Sequence, residues 1–161
     1  MCIRDRSQVL ATLRGFHRDG VGHIDFSESG ELLVTAGMTG QHSIAVYDWA
    51  KRVCLFASAA TEQTVLDVRF VRDEDFASCG VDHVHFWSRH GRTFRRQRGL
   101  LGKKTSKQPL LCVAGFGESV ITGAISGNLL VWEGRNCVRA IKAHSGAVTA
   151  LHVVSLSLIH I

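Results

Sequence analysis

The feature that most constrains the fold is an aromatic residue that returns at a nearly fixed spacing. Tyr47, Trp87 and Trp132 lie 40 and 45 residues apart, and each ends an apolar run. Around them hydrophobic and polar residues alternate with period two, in short runs broken by Gly, Ser, Asp and Asn. Such alternation predicts antiparallel strands, and no 3.6-residue stripe indicates a helix.

The repeated unit carries further landmarks besides its aromatic residue. His17 and His144 each stand four residues before a valine that opens a strand-like run, and a small residue followed by Gly ends the strand before each anchor. A period of 40 to 45 residues, with four strands, an early His and a late Trp-acid pair, is typical of WD40 repeats. We therefore expect an all-β fold: an incomplete WD40 β-propeller of about three four-stranded blades, plus the first strand of a fourth. The expected blades are 15–57, 61–99 and 108–143, and the next begins over 144–154.

WD40 blades hold their Trp through a hydrogen-bonded chain of His, Ser or Thr, and a turn Asp, because a buried indole N–H needs a partner. Here the repeats keep only parts of that chain. The second unit has Ser78, Asp82 and Trp87 but Thr61 where His is expected, and the other two lack the turn Asp. The predicted structural positions are His17, Tyr47, Asp48, Ser78, Asp82, Trp87, Trp132, Glu133 and His144.

Four strings point to a particular family: "SIAVYDWAKRVCLFASA", "FASCGVDHVHFWS", the basic segment with "GLLGKK", and "ITGAISGNLLVWEG" followed by "AHSG". In this order they resemble the echinoderm microtubule-associated protein-like family, within the first of its two joined propellers. Members carry Trp-Asp-Trp where this chain has Tyr47-Asp48-Trp49. The resemblance implies a tandem propeller that binds tubulin or microtubules and other cytoskeletal partners, located in the cytoplasm on the cytoskeleton. The family's oligomerisation segment is expected to lie outside this chain.

Positive charge is concentrated in one stretch, which carries eight basic residues and no acidic one, against a net charge of +5 for the whole chain. One interpretation is a surface for an acidic partner, since such attraction accelerates association. The alternative is a solvated outer strand and inter-blade loop. Phe94 is the only Phe, Tyr or Trp among these residues, so stacking of nucleic-acid bases is not favoured. The eight residues are Arg89, Arg92, Arg95, Arg96, Arg98, Lys103, Lys104 and Lys107.

Other chemistry finds little support in the sequence. Cys79, His83, His85 and His90 could suggest zinc, but a structural site wants four ligands in paired spacing. No nucleophile elbow, phosphate loop or paired-carboxylate pattern is present, so we expect no catalysis and no cofactor. No apolar run approaches the ~20 residues of a membrane helix. Cysteines without CxxC pairs favour a reduced setting.

The expected function is a non-catalytic protein-interaction scaffold. The alternatives are a generic WD40 adaptor in a ciliary, signalling or ubiquitin-ligase complex, or an enzyme domain that uses the propeller as its structural frame.

One short DNA string, read in opposite senses, can encode both ends of the chain. The string ATGTGTATAAGAGACAG, completed by one purine, encodes the first six residues, MCIRDR, and its reverse complement, completed by C, encodes the last six, LSLIHI. We therefore expect 1–6 and 156–161 to come from a translated library adapter and 7–155 to be the native segment. Such segments are set aside when a fold is predicted.

Overall fold

The computed structural model describes residues 9–13, 16–18, 20–38, 43–59 and 63–154. Within these ranges the chain forms β-strands joined by turns and loops, and no helix. Accordingly, no described helix is long and apolar enough to cross a membrane. The two terminal segments expected to be adapter-derived lie outside the described residues, and so does Thr61.

Twelve strands make up the described part of the chain, and they follow the predicted alternation of apolar and polar residues. They are β1 Val21–Phe26, β2 Leu32–Gly37, β3 Ser43–Asp48, β4 Val53–Ala59, β5 Val65–Phe70, β6 Asp75–Gly80, β7 His83–His90, β8 Thr93–Arg98, β9 Leu110–Phe116, β10 Ser119–Ala124, β11 Asn128–Glu133 and β12 Asn136–Lys142.

The strands form three antiparallel sheets of four, each in chain order: β1-β2-β3-β4, β5-β6-β7-β8 and β9-β10-β11-β12. These sheets are the three predicted blades, and the all-β prediction is confirmed. Tyr47, Trp87 and Trp132 lie on the third strands β3, β7 and β11, in matching positions. The spacing of the aromatic residues therefore reports the spacing of the blades.

The first strand of every blade carries the same irregularity. Its register against the second strand shifts between Val21 and His23, between Val65 and Asp67, and between Leu110 and Cys112. A β-bulge of this kind adds one residue to a strand and increases its local twist. Since the bulge recurs at equivalent places, the three sheets are copies of one unit.

The core lies between the sheets. β1 contacts β5, and β5 contacts β9, so the first strands of successive blades are neighbours. One buried cluster joins the first two sheets and a second joins the last two, because a twisted sheet buries its faces only against another sheet. The first cluster includes Val34, Ile44, Val46, Val68, Phe76, Trp87 and Phe94; the second includes Cys79, Val84, Val113, Leu130 and Trp132.

The strand expected to open a fourth blade is not formed among the described residues. Val148 is buried and its N–H donates to the Ala124 carbonyl at 3.1 Å, yet 143–154 is assigned to no strand. A strand requires a ladder of hydrogen bonds with a partner strand. Within the described ranges this segment pairs with no strand, and it contacts the third blade through Val148.

The passage from the second to the third blade depends on a glycine. The Gly99 N–H donates to the Val84 carbonyl at 2.8 Å, and the next residue, Leu100, exchanges main-chain hydrogen bonds with the third blade: its N–H donates to Arg135 and its carbonyl accepts from Cys137. A Cβ on Gly99 would stand 2.3 Å from Val84 Cγ1 and 2.9 Å from Trp132 Cζ3. The chain crosses here only because that position has no side chain.

We expect Gly99→Ala to lower the free energy of unfolding by about 1–3 kcal/mol, because the added methyl overpacks the contact between two blades. Urea unfolding monitored by tryptophan fluorescence measures the change. Gly146→Ala is the matched control, since nothing lies within 4 Å of a Cβ built there. Equal stability of the two variants would contradict the assigned role of Gly99.

Candidate functional site

Two of the three aromatic anchors are held by the same hydrogen bond. Trp87 Nε1 donates to Ser78 Oγ at 3.0 Å, and Trp132 Nε1 donates to Thr122 Oγ1 at 3.0 Å. Both acceptors lie on the second strand of their blade and are buried, as are both indoles. A buried indole N–H without an acceptor would be costly, so each hydroxyl fixes the rotamer of its Trp. Thr122 was not among the predicted positions.

In the first blade, different residues form the hydrogen bonds around the aromatic anchor. His17 Nε2 lies 2.7 Å from Thr35 Oγ1, which also hydrogen-bonds to Tyr47, and His17 Nδ1 lies 2.7 Å from Ser43 Oγ. Ser43, the first residue of β3, thus provides the second hydroxyl partner of this imidazole. Burial lowers the pKa of His17 below its usual value. A neutral imidazole suits two hydroxyl partners, since neither brings a charge that would favour the imidazolium.

The turn acid of the second blade does not join this kind of network. Asp82 lies between β6 and β7 with φ of 64°, a backbone region that Asp enters more readily than most residues. Its carbonyl accepts a hydrogen bond from Arg98 Nη2 at 3.2 Å. Among the described residues, no hydrogen bond joins its carboxylate to Ser78 or Trp87. Asp82 therefore shapes a turn, and the hydrogen bond between Ser78 and Trp87 forms without its carboxylate.

Three other predicted positions lie at the surface. The Asp48 carboxylate accepts hydrogen bonds from Lys51 Nζ at 2.6 Å and from the Lys51 N–H at 3.0 Å, which lowers the pKa of Asp48 and closes the turn after β3. Glu133 and His144 are exposed. His144 binds through its backbone, whose N–H donates to the Gly127 carbonyl at 3.0 Å. The structure brings none of these three side chains to an aromatic anchor.

Carboxylates that the sequence analysis missed connect one blade to the next. Asp25 Oδ2 accepts from the Phe70 N–H at 2.7 Å, and Asp67 Oδ2 accepts from the Val113 N–H at 3.0 Å. Arg69 reaches both acids, with Nη1 3.3 Å from Asp25 Oδ1 and Nε 3.6 Å from Asp67 Oδ1. Burial raises the pKa of Asp67 in spite of these partners. The available signal was an acid inside an apolar first strand, in "HIDF" and "VLDVRF".

The histidines considered for zinc form a buried pair. The rings of His83 and His85 have centroids 4.7 Å apart, and His83 Nδ1 lies 3.0 Å from the Val81 carbonyl oxygen. Burial, together with the nearby His83, Arg96 and Arg98, lowers the pKa of His85 to about 3. Within the described ranges no group of three or more His, Cys, Asp or Glu residues is placed to hold a metal. The pair is part of the packing of the second blade.

The basic segment extends over the end of β7, the outer strand β8 and the loop that follows. Three of its cations already have partners inside the blade. Arg89 Nη1 is 3.0 Å from Glu74 Oε1, Arg96 stacks 5.8 Å from the Trp87 ring centroid, and Arg98 donates to the Asp82 carbonyl. Phe94 points into the core instead. The remaining cations are exposed and form no ion pair within the described part of the chain: Arg92, Arg95, Lys103, Lys104 and Lys107.

Comparisons with known proteins agree with this architecture. The family described as "Echinoderm microtubule-associated protein first beta-propeller" matches residues 5–160. Echinoderm microtubule-associated protein-like 2 of Rattus norvegicus is 34% identical over 131 residues, which is 78% of this chain and 20% of that protein. Echinoderm microtubule-associated protein-like 4 of Mus musculus is 31% identical over 156 residues, covering 85% of this chain and 16% of that protein. The chain thus spans about a fifth or less of the length of these relatives.

Solved structures support the fold alone. The computationally designed Ika4 protein superimposes with a TM-score of 0.71 at 23% identity, over 92% of this chain and 88% of that one. The Cps50 (Swd1) β-propeller domain of Myceliophteria thermophila superimposes with a TM-score of 0.74 at 17% identity, over 88% of this chain and 47% of that one. Three blades of a propeller are therefore the correct description of the described residues.

We expect Thr122→Val to lower the free energy of unfolding by about 1–3 kcal/mol, because the Trp132 indole N–H would stay buried without an acceptor. Thr122→Ser keeps the hydroxyl and should cost less, through the lost methyl contact alone. Urea denaturation of both variants provides the comparison. If valine and serine destabilise to the same extent, the hydrogen bond does not hold the anchor.

A second expectation concerns pH. The pKa of His85 is about 3 in the folded chain and 6.5 when unfolded. The unfolded chain therefore binds the proton first, and stability is lost as pH falls below 6.5. This residue alone should cost about 2 kcal/mol between pH 7 and pH 5. His85→Phe, which keeps a ring but cannot titrate, should show a correspondingly smaller drop in unfolding free energy over that range. An unchanged pH dependence would contradict a buried neutral His85.

Proposed function

The chain belongs to the echinoderm microtubule-associated protein family, and on that premise we propose that it is a non-catalytic protein-interaction unit of a cytoplasmic, microtubule-binding cytoskeletal protein. Its expected partners are tubulin or microtubules, together with other proteins. The observation that carries the proposal is the basic outer strand and loop of the second blade, on a chain whose relatives are named for microtubule association.

Charge and exposure support a surface for an acidic partner. Five cations of the segment are exposed, one in the turn between β7 and β8, one on β8 and three in the loop that follows, and no acidic residue lies between Arg89 and Lys107. Such a surface attracts a negatively charged partner over a distance set by the ionic strength, and it raises the association rate. The rest of the basic residues are positioned by the blade itself, so the strand presents its charges on a rigid support.

The titratable groups support a binding role over catalysis. His17 lies between two hydroxyls, Asp67 accepts a main-chain hydrogen bond across a blade boundary, and His85 is buried and kept neutral. Each of these groups already has a structural task. A general base would instead need reach to a substrate proton in an accessible site.

We expect the full-length protein to pellet with microtubules, and less so as salt rises from about 0.01 to about 0.15 M, which shortens the screening length from about 30 to about 8 Å. The double variant Arg92→Glu/Arg95→Glu should reduce the pelleted fraction at low salt severalfold, because it reverses two exposed charges. The matched control is Arg18→Glu/Arg139→Glu, which reverses two exposed cations outside the basic segment.

Cosedimentation at graded salt, followed by densitometry, measures these fractions. Absence of salt-sensitive pelleting in the unmodified protein would reject microtubule binding. Recovery of other proteins under the same conditions would then favour the adaptor function considered from the sequence. An equal loss in both double variants would show that net charge acts, and not the outer strand of the second blade.

A further inference from the structure

A cavity of about 720 Å³ lies between the second and third blades, at the end where β6 turns into β7 and where β8 leaves for β9. The volume falls within the range of about 300–1,000 Å³ typical of ligand pockets. Its lining combines buried or half-buried apolar side chains, which we call the floor, with charged side chains, which we call the rim, and with the polar residues His83, Thr105 and Gln108. The residues that form the floor are Val84, Leu101, Leu110 and Trp132, and those with charge at the rim are Asp82, Arg98 and Lys107.

Hydrogen bonds hold the loop that walls the cavity at both of its ends. Leu100 donates its N–H to the Arg135 carbonyl, in the turn before β12, and its own carbonyl accepts from the Cys137 N–H on β12. At the other end Gln108 Nε2 donates to Thr105 Oγ1 at 2.8 Å, and Gln108 Oε1 accepts from the Ser126 N–H at 3.3 Å. The cavity is therefore largely formed before a ligand arrives, which reduces the entropy lost on binding.

The charge around the opening selects the kind of ligand. Arg98 and Lys107 line the cavity, and Lys103 and Lys104 follow the same loop on the outside, whereas Asp82 is the single acid of the lining. Arg98 is positioned by its bond to the Asp82 carbonyl, so its guanidinium stays at the rim. An apolar floor beneath a mainly cationic rim is complementary to an apolar side chain flanked by carboxylates.

We propose that this cavity binds a short acidic peptide segment of a partner protein, which inserts one aliphatic or aromatic side chain between the blades. The inserted side chain packs on Leu101, Leu110 and Trp132, and the flanking carboxylates pair with Arg98 and Lys107. The proposal goes beyond the proposed function by assigning a defined pocket and a peptide chemistry, and it does not require that the partner be a microtubule.

A nucleic acid strand would use this site poorly. It would satisfy the cations of the rim through its phosphates, but the apolar floor contains one aromatic ring, Trp132, and not the row of aromatic faces on which successive bases could stack. An apolar anchor in a desolvated pocket, surrounded by charged contacts, is instead the common arrangement where proteins bind peptides. The peptide therefore accounts for both the floor and the rim.

Fluorescence anisotropy of the full-length protein with a labelled Glu-Glu-Leu-Glu-Glu peptide tests the proposal. We expect saturable binding that weakens at least tenfold for Glu-Glu-Ser-Glu-Glu, which lacks the anchor. Arg98→Glu/Lys107→Glu should weaken it at least tenfold by removing the rim cations. Leu101→Trp should do the same by filling the cavity. The control Arg18→Glu/Arg139→Glu, which lies outside the lining, should change the affinity less than twofold.

Several results would overturn the proposal: equal binding of the leucine and serine peptides, equal loss in the control, or an unaltered affinity in both cavity variants. So would an oligonucleotide that binds more tightly than the peptide and is insensitive to Leu101→Trp. Thermal unfolding of each variant identifies misfolding, and the charge variant remains informative if Leu101→Trp does not fold. Pelleting that persists without peptide binding rejects the cavity and leaves microtubule association intact; peptide binding without pelleting does the reverse.

Discussion

Burial of sheet faces against neighbouring sheets is the constraint on which the rest of this structure depends. A four-stranded antiparallel sheet has two faces, and a unit of about 40 residues cannot cover both by itself. The apolar residues of each blade are buried because the next blade stands against them. Where no blade stands, on the outward faces of the first and third sheets, Ile24, Phe26, Phe116 and Ile141 are exposed. Those residues lie where further blades would pack in a complete propeller.

Polar contacts fix the position of each blade relative to the next. Apolar packing is not directional, so two faces could slide over one another with little change in buried area. Asp25 and Asp67 remove that freedom, because each accepts a main-chain N–H from the next blade, at a fixed residue of its first strand. Arg69 lies between the two acids and reduces the cost of holding both near the interior. The blades are thus held by apolar area and aligned by carboxylates.

The sequence was sufficient for the architecture because the architecture is periodic. Recurrence of Tyr47, Trp87 and Trp132 predicted the number of blades, and alternation predicted the strands. Prediction failed where several residue types can make the same interaction, because no particular amino acid then marks its position in the sequence. Ser43 hydrogen-bonds the His17 ring from the first position of β3, and any polar side chain of suitable reach can make such a bond. The segment expected to open a fourth blade, 144–154, has no partner strand among the described residues, so that expectation stays a prediction.

The inter-blade carboxylates and the cavity were invisible for a related reason, since both depend on residues that come together only when two blades meet. The spacing of the aromatic anchors nevertheless contained one indication of the cavity. The second interval between anchors is longer than the first, and the structure places the added residues in the link between blades: 99–109 joins β8 to β9, whereas 60–64 joins β4 to β5. Insertions between repeats fall on loops, and loops carry binding residues on a rigid support. In a chain built from repeated units, a link that departs from the common length is therefore the part that a partner can distinguish. Here the longer link, 99–109, forms a wall of the cavity between the second and third blades.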